Sequence, residues 1–234
     1  RNPMRIAIIG CEYTGTTTLG NAIYDWSVDT LGRKLMLHDH WKMPHISGHP
    51  PHETNLTLLT EEEKRQVQQA SPAVAELLMR YALYYHTPSS LTEDPAVVVG
   101  YHIEDLVYGP MYYGYGGDGE PGDRRVVAAH IEKRLAANVP QSALVLLEAS
   151  PDVIRERMRA NPHTPGVVLE KDIEMVSRRF REEYDRSLIP GKFILDTTSA
   201  TVEETMVVFI EQIQPYLTPQ DRMGLLARSA NIGV

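Results

Sequence analysis

The run Ile6-Ala7-Ile8-Ile9 is followed directly by Gly10-Cys11-Glu12-Tyr13-Thr14-Gly15-Thr16-Thr17-Thr18-Leu19. A short apolar run bounded by glycine reads as a buried strand, and the threonine-rich stretch after the second glycine reads as the start of a helix. The spacing Gly10-x4-Gly15-x-Thr17 is that of a phosphate-binding loop. In that pattern a lysine follows the second glycine; here the position is Thr16. Successive backbone N–H groups in such a turn form a concave nest for phosphate oxygens. The helix N-terminus adds a partial positive charge. Gly10 and Gly15 permit backbone angles and close approach that a Cβ blocks. Gly10, Tyr13, Thr14, Gly15, Thr16, Thr17 and Thr18 are therefore expected to hold a polyphosphate largely through backbone, with the Thr17 hydroxyl facing Mg2+. What the loop lacks is a mobile cation over the leaving phosphate. The plainer alternative is a strand-turn-helix whose two glycines are purely structural.

The 234 residues suffice for one α/β domain with a substantial core. A formal net charge of −8 argues against broad nucleic-acid binding, which runs on lysine and arginine at phosphates. The single cysteine, Cys11, excludes an intrachain disulfide framework and fits a reducing, cytoplasmic compartment. Because it lies inside the loop, its backbone matters more than its sulfur. No apolar run approaches membrane-spanning length, and no charged-then-apolar leader is read. The natural start is expected at Met4.

Hydrophobic patterning predicts strands over 4–9, 34–38, 96–99, 143–147 and 193–195. Helices are expected over 17–31 (with Leu19, Ile23 and Trp26 on one face), 61–85, 123–138, from Pro151, and over 170–187 and 202–216. Thr60 with Glu63 forms a capping box, and Pro72 divides the helix that it opens. Residues 42–58, rich in Pro, His and Gly, read as a long loop. Apolar strands alternating with helices imply a parallel sheet covered on both faces. The expectation is a single domain over 4–216, with a lid around 155–170 and a tail over 217–234.

The stretch Tyr101-His102-Ile103-Glu104-Asp105-Leu106-Val107-Tyr108-Gly109-Pro110 resembles the segment after the third strand of thymidylate-kinase-like P-loop kinases. Ser150-Pro151-Asp152-Val153-Ile154-Arg155-Glu156-Arg157 resembles the arginine-bearing helix that leads into their lid. Arg178, Arg179, Phe180 and Tyr184 are similar to the charged helix beyond the lid, and Ile194-Leu195-Asp196-Thr197 resembles the last strand and its adenine-side turn. The order and spacing of these motifs over 4–215 carry the resemblance. It implies a three-layer α/β P-loop kinase fold with a five-stranded parallel sheet, ATP and Mg2+ as cofactors, a small-molecule acceptor, and a homodimer packed through helices beside the third strand. Asp196 and Thr197 then lie on the nucleotide side; Trp41, His102, Tyr108 and Tyr112 lie on the substrate side. The departures are specific. Val99 and Gly100 stand where the family carries Asp-Arg, and Thr16 stands where it carries lysine.

Replacement groups are therefore needed. Arg155 and Arg159, at i and i+4, share a helix face from which a lid closes over phosphates, while Arg157 points elsewhere; the alternative is a solvated face paired with acids. Asp39 follows the second strand at the carboxyl edge, where it could accept the proton of a substrate hydroxyl, or simply make a loop Asx turn. Glu104 or Asp105 could take over the metal contact, but consecutive helical residues diverge by about 100°, so one at most faces the metal. Both also suit a solvated first turn. Trp41 either stacks on a base or packs on a helix. Tyr108, Tyr112 and Tyr113 are expected at the substrate cavity or its rim. His38 and His40, with His45, His49 and His52, suggest zinc only if they converge. Three readings stand. One is a nucleotide-dependent phosphotransferase acting on a nucleoside, nucleotide or related compound. Another is a nucleotide-binding protein without turnover. The third is sulfuryl transfer, suggested by the Gly15-Thr16-Thr17 run.

Overall fold

A computed structural model describes residues 4–39, 42–43, 59–90, 94–164 and 166–231. Five strands form one sheet in the order β2-β3-β1-β4-β5: β1 Arg5–Ile9, β2 Met36–His38, β3 Ala96–Val99, β4 Ser142–Glu148 and β5 Gly191–Asp196. Every pairing is parallel; Ile8, for instance, aligns with Val99 on one side and Val145 on the other. The central strands are apolar on both faces because both faces are covered. Ile6 and Ile8 point into a core shared with Val97, Val99, Val145 and Phe193, roofed by helix α1 (Thr16–Trp26) and helix α8 (Val202–Ile213). Ala7 and Ile9 point the other way, into a core with Val98, Leu144 and Leu146. That side is covered by α3 (Pro72–Tyr85), α4 (Tyr101–Tyr108), α5 (Arg124–Asn138) and α7 (Ile173–Arg186). This alternation sorts residues two apart onto the same layer.

The expected elements form, with adjusted ends. α1 gives way after Trp26 to a π-helical turn over Ser27–Leu31. Pro72 does divide the long helix: α2 spans Glu61–Gln68 under the Thr60–Glu63 capping box, and Pro72 opens α3. Asp123 caps α5 by accepting from the Arg125 amide. α6 spans Pro151–Ala160 under Ser150, so the first half of the expected lid is ordinary helix, and α7 is preceded by a 3-10 turn over Glu170–Asp172. The tail is a further helix, α9 (Pro219–Asn231), packed on the π-helical turn. Asp221 anchors it: fully buried, it accepts from the Thr218 amide and hydroxyl at 2.9 and 2.6 Å and from Arg33 Nε at 2.7 Å.

Candidate functional site

The loop between β1 and α1 leaves the carboxyl edge of the central strand and lines a cavity of about 600 Å³. Its shape comes from its sequence. A Cβ on Gly10 would lie 2.6 Å from the Leu147 carbonyl on β4, so the loop hugs the sheet edge. Gly15 has φ +96° and begins α1 without a side-chain cap. Tyr13 also has positive φ, +69°, a costly conformation for a residue with a side chain. That strain is held by three bonds: the Thr14 hydroxyl to the Cys11 carbonyl at 2.7 Å, the Thr197 hydroxyl to the Thr14 carbonyl at 2.8 Å, and Arg157 to the Tyr13 carbonyl at 3.0 Å. The first helical bond runs from the Leu19 amide to the Gly15 carbonyl at 2.9 Å. The amides of Thr16, Thr17 and Thr18 thus have no helical acceptor, and all three residues line the cavity. Such a cradle suits a polyphosphate.

Acids and cations gather at one end. The Thr17 hydroxyl donates to Asp39 Oδ2 at 2.9 Å. Among the described residues no three His, Cys, Asp or Glu side chains converge as a ready-made metal site. A hydroxyl with one carboxylate is instead the partial donor set that suits Mg2+, which keeps waters and takes further oxygens from substrate phosphates. Glu104 lines the cavity from α4. Burial, then the nearby Asp39, Glu12 and Asp105 charges, pushes its carboxyl up to about 8 against the pull of Lys42. Lys42 lines the same cavity, its Nζ 2.5 Å from Glu12 Oε1. Burial alone would lower the Lys42 ammonium, but Glu104, Glu12 and Asp39 outweigh it and raise the amine above its ordinary value. Lys42 escaped the sequence reading because it sits in a histidine- and proline-rich stretch with no periodicity; its one signal is that it is the first cation after β2.

Glu12 is a second unforeseen residue. It is 5% exposed. Its Oε2 accepts from the Val167 and Val168 amides at 2.9 and 2.8 Å, beyond the end of α6, and His163 Nδ1 stands 3.4 Å from Oε1. Burial pushes this carboxyl up, yet His163, Lys42 and the Val168 amide together bring it down to about 2. Next to it, the Tyr13 ring stacks on His163 at 4.1 Å, and its hydroxyl accepts from the His163 amide at 2.9 Å. The connection between α6 and α7 is thereby fastened to the loop.

The arginines are sorted differently from expectation. Arg157 enters the cavity and also bonds the Thr197 carbonyl at 2.6 Å. Arg155 turns to Asp152 and Glu174, and Arg159 to Glu170, all on the surface. Arg155 and Arg159 do share a face, but it is the alternative one, solvated and paired with acids, and not a lid over the cavity. Asp105 is also corrected: it faces the core, not the metal end, 2.5 Å from both Arg124 Nε and the Tyr115 hydroxyl. The expected solvated turn is absent, since α4 is buried on nearly every side. His102 is 1% exposed, its Nε2 3.0 Å from Glu132 Oε1, and lines no part of the cavity. Tyr112 donates to Asp172 at 3.2 Å, outside the cavity, and Tyr113 lies outside it too. Tyr108 does line it, accepting from the Glu12 amide at 3.3 Å. Thr197 lines it as well, whereas Asp196 borders a smaller cavity of about 310 Å³ behind the loop and accepts from the Thr198 amide at 2.8 Å. Burial pushes the Cys11 thiol in that smaller cavity up to about 12, which keeps the sulfur protonated near neutral pH. His38 packs edge-on against His86 at 5.1 Å. Trp41, His40, His45, His49 and His52 lie outside the described residues.

A five-stranded parallel sheet in this order, with a glycine-bounded turn after its central strand and helices on both faces, has the architecture of the P-loop kinases. Solved structures agree. The chain superposes on thymidylate kinase from Candida albicans with a TM-score of 0.56 at 14% identity, covering 92% of each chain. For deoxyadenosine kinase from M. mycoides with bound dATP the TM-score is 0.55 at 14% identity, over 90% of this chain and 99% of that one. The YorR protein from Bacillus subtilis, in complex with phosphorylated GDP, gives 0.55 at 14% identity over 92% and 99%. No protein-family model and no curated protein sequence matches the chain. At this identity the likeness is one of fold.

Proposed function

We propose that the chain is a nucleotide-dependent phosphotransferase that uses ATP with Mg2+ and acts on a nucleoside, a nucleotide or a related small molecule. The observation that carries this reading is the Thr17–Asp39 hydrogen bond, which sets a carboxylate against a hydroxyl of the cavity-lining cradle beside the orphan amides of α1. The cavity's volume is in the range of small-ligand sites. Thr197, Thr201 and Thr205 mark its nucleotide end, and Glu104, Lys42 and Tyr108 its acceptor end.

Thr17 and Asp39 are the residues that would hold Mg2+, which when bound offsets charge on the phosphate oxygens. The loop amides orient the donor. Glu104 has no bond to Thr17 and is the better proton acceptor, since an effective base has a pKa near the working pH. This exchanges the roles that the sequence assigned to Asp39 and Glu104. The acceptor oxygen forms a bond to the terminal phosphorus, the bond to the ADP oxygen breaks, and where that oxygen is a hydroxyl its proton passes to the ionised Glu104 carboxylate.

The test is ADP formation from ATP–Mg2+ across a panel of nucleosides and nucleotides. Turnover with at least one acceptor is expected, falling about 10²–10⁴-fold in Glu104→Gln. ATP binding without turnover on any acceptor would overturn the reading in favour of a binding-only protein.

A further inference from the structure

The loop has threonine at position 16, yet its cavity contains an ammonium group delivered by another part of the chain. Lys42 comes after β2, and its Nζ bonds Glu12 Oε1 inside the loop at 2.5 Å. Glu12 divides its two oxygens: Oε2 serves the Val167 and Val168 amides, while Oε1 serves Lys42 and, at longer range, His163. Lys42 can therefore leave without unfastening the connection to α7. Its side chain is 27% exposed on the cavity side, which gives it room to swing.

The charges around it make such movement favourable. Glu12, Asp39 and Glu104 are the acids whose field reaches Lys42. The Glu12 and Asp39 carboxylates would repel a polyphosphate unless a cation stood between. Arg157 does not fill that place. Its guanidinium is engaged by the Tyr13 and Thr197 carbonyls, at the nucleotide end. A triphosphate carries more charge than one carboxylate, so an ammonium parked on Glu12 gains by exchanging partners. Glu12 left behind keeps two amide donors and His163.

On the phosphotransferase reading, we infer that Lys42 supplies the phosphate-binding cation absent at Thr16, and that Glu12 is a positioning residue that holds Lys42 at rest and releases it to the incoming polyphosphate.

The experiment measures calorimetric binding of inorganic tripolyphosphate, ATP–Mg2+ and adenosine, together with turnover, in the full chain and its variants. Lys42→Met is expected to weaken tripolyphosphate and ATP by about 10–100-fold, the scale of a charge-assisted hydrogen bond, and adenosine by less than about twofold. Adding Thr16→Lys to Lys42→Met is expected to restore polyphosphate binding to within about fivefold of the parent. Glu12→Gln is expected to tighten tripolyphosphate by about 3–10-fold, while the Val167 and Val168 amides keep their hydrogen-exchange protection, because the glutamine oxygen still accepts from them. Equal tripolyphosphate binding by the parent and Lys42→Met overturns the inference whatever the turnover. Lys42-dependent tripolyphosphate binding without turnover upholds the inference and overturns the phosphotransferase reading. No binding of either polyphosphate overturns both.

Discussion

Glu12 shows how one residue can set the behaviour of a loop. A buried carboxylate is stable only when its lone pairs are met, and here two backbone amides, an ammonium and an imidazole meet them. The consequence is a linkage between protonation and stability. The Glu12 carboxyl falls from its ordinary 4.5 to about 2 on folding. Its contribution, roughly 3 kcal/mol, is therefore complete above the unfolded value and is lost as the pH falls through the folded one. Urea unfolding of the parent and of Glu12→Gln should differ by about that amount at pH 7 and converge as the pH approaches 2. A gap independent of pH would show that the carboxylate charge is not what stabilises the loop.

At the scale of elements, α4 is the piece whose sequence and setting diverge most. Its first turn carries Glu104 and Asp105, which look solvated, yet the helix is wedged among α3, α5, α7 and the sheet. The turn that starts it needs two consecutive positive φ values, +86° at Gly100 and +52° at Tyr101. The buried Tyr101 hydroxyl steadies this turn by bonding Thr87 at 2.7 Å and the Leu83 carbonyl at 3.1 Å. The turn sends the neighbouring acids to different places: Glu104 to the cavity, Asp105 to Arg124. Arg124, 1% exposed, then links α5 to Glu76 of α3 at 2.7 Å. Removing one partner of such a pair strands a buried charge. Asp105→Ala should cost about 3–5 kcal/mol in denaturant unfolding. A loss below about 1 kcal/mol would mean that α3, α4 and α5 are held by apolar packing alone.

For the whole molecule, every element of the site hangs from the carboxyl edge of one sheet. The loop extends from β1, Asp39 and Lys42 come after β2, α4 after β3, α6 after β4, and Thr197 after β5. A ligand at that edge binds the folded state and has nothing to bind in the unfolded one. Saturation with ATP–Mg2+ to a hundred times its Kd should add about 2.7 kcal/mol and raise Tm by roughly 5–10 °C. A melting point indifferent to ATP–Mg2+ would leave the cavity without a nucleotide. Among the described residues no helix is long and apolar enough to cross a membrane.

The sequence alone settled the features that depend on neighbours along the chain. The alternation of apolar strands and helices fixed the α/β class, the glycine spacing fixed the loop, and Thr60 and Pro72 marked helix starts, because capping and backbone geometry act within a few residues. Tertiary structure decided what each polar side chain meets. Lys42 lies 30 positions from Glu12, and Val168 lies 156 from it. No local pattern encodes such pairings. Which arginine of α6 faces the loop, and which of two adjacent acids enters the core, depended on the face of each helix that the sheet left uncovered. Helical periodicity gives the angle between two side chains but not the direction of the protein's interior, and only the packed layers supply that direction.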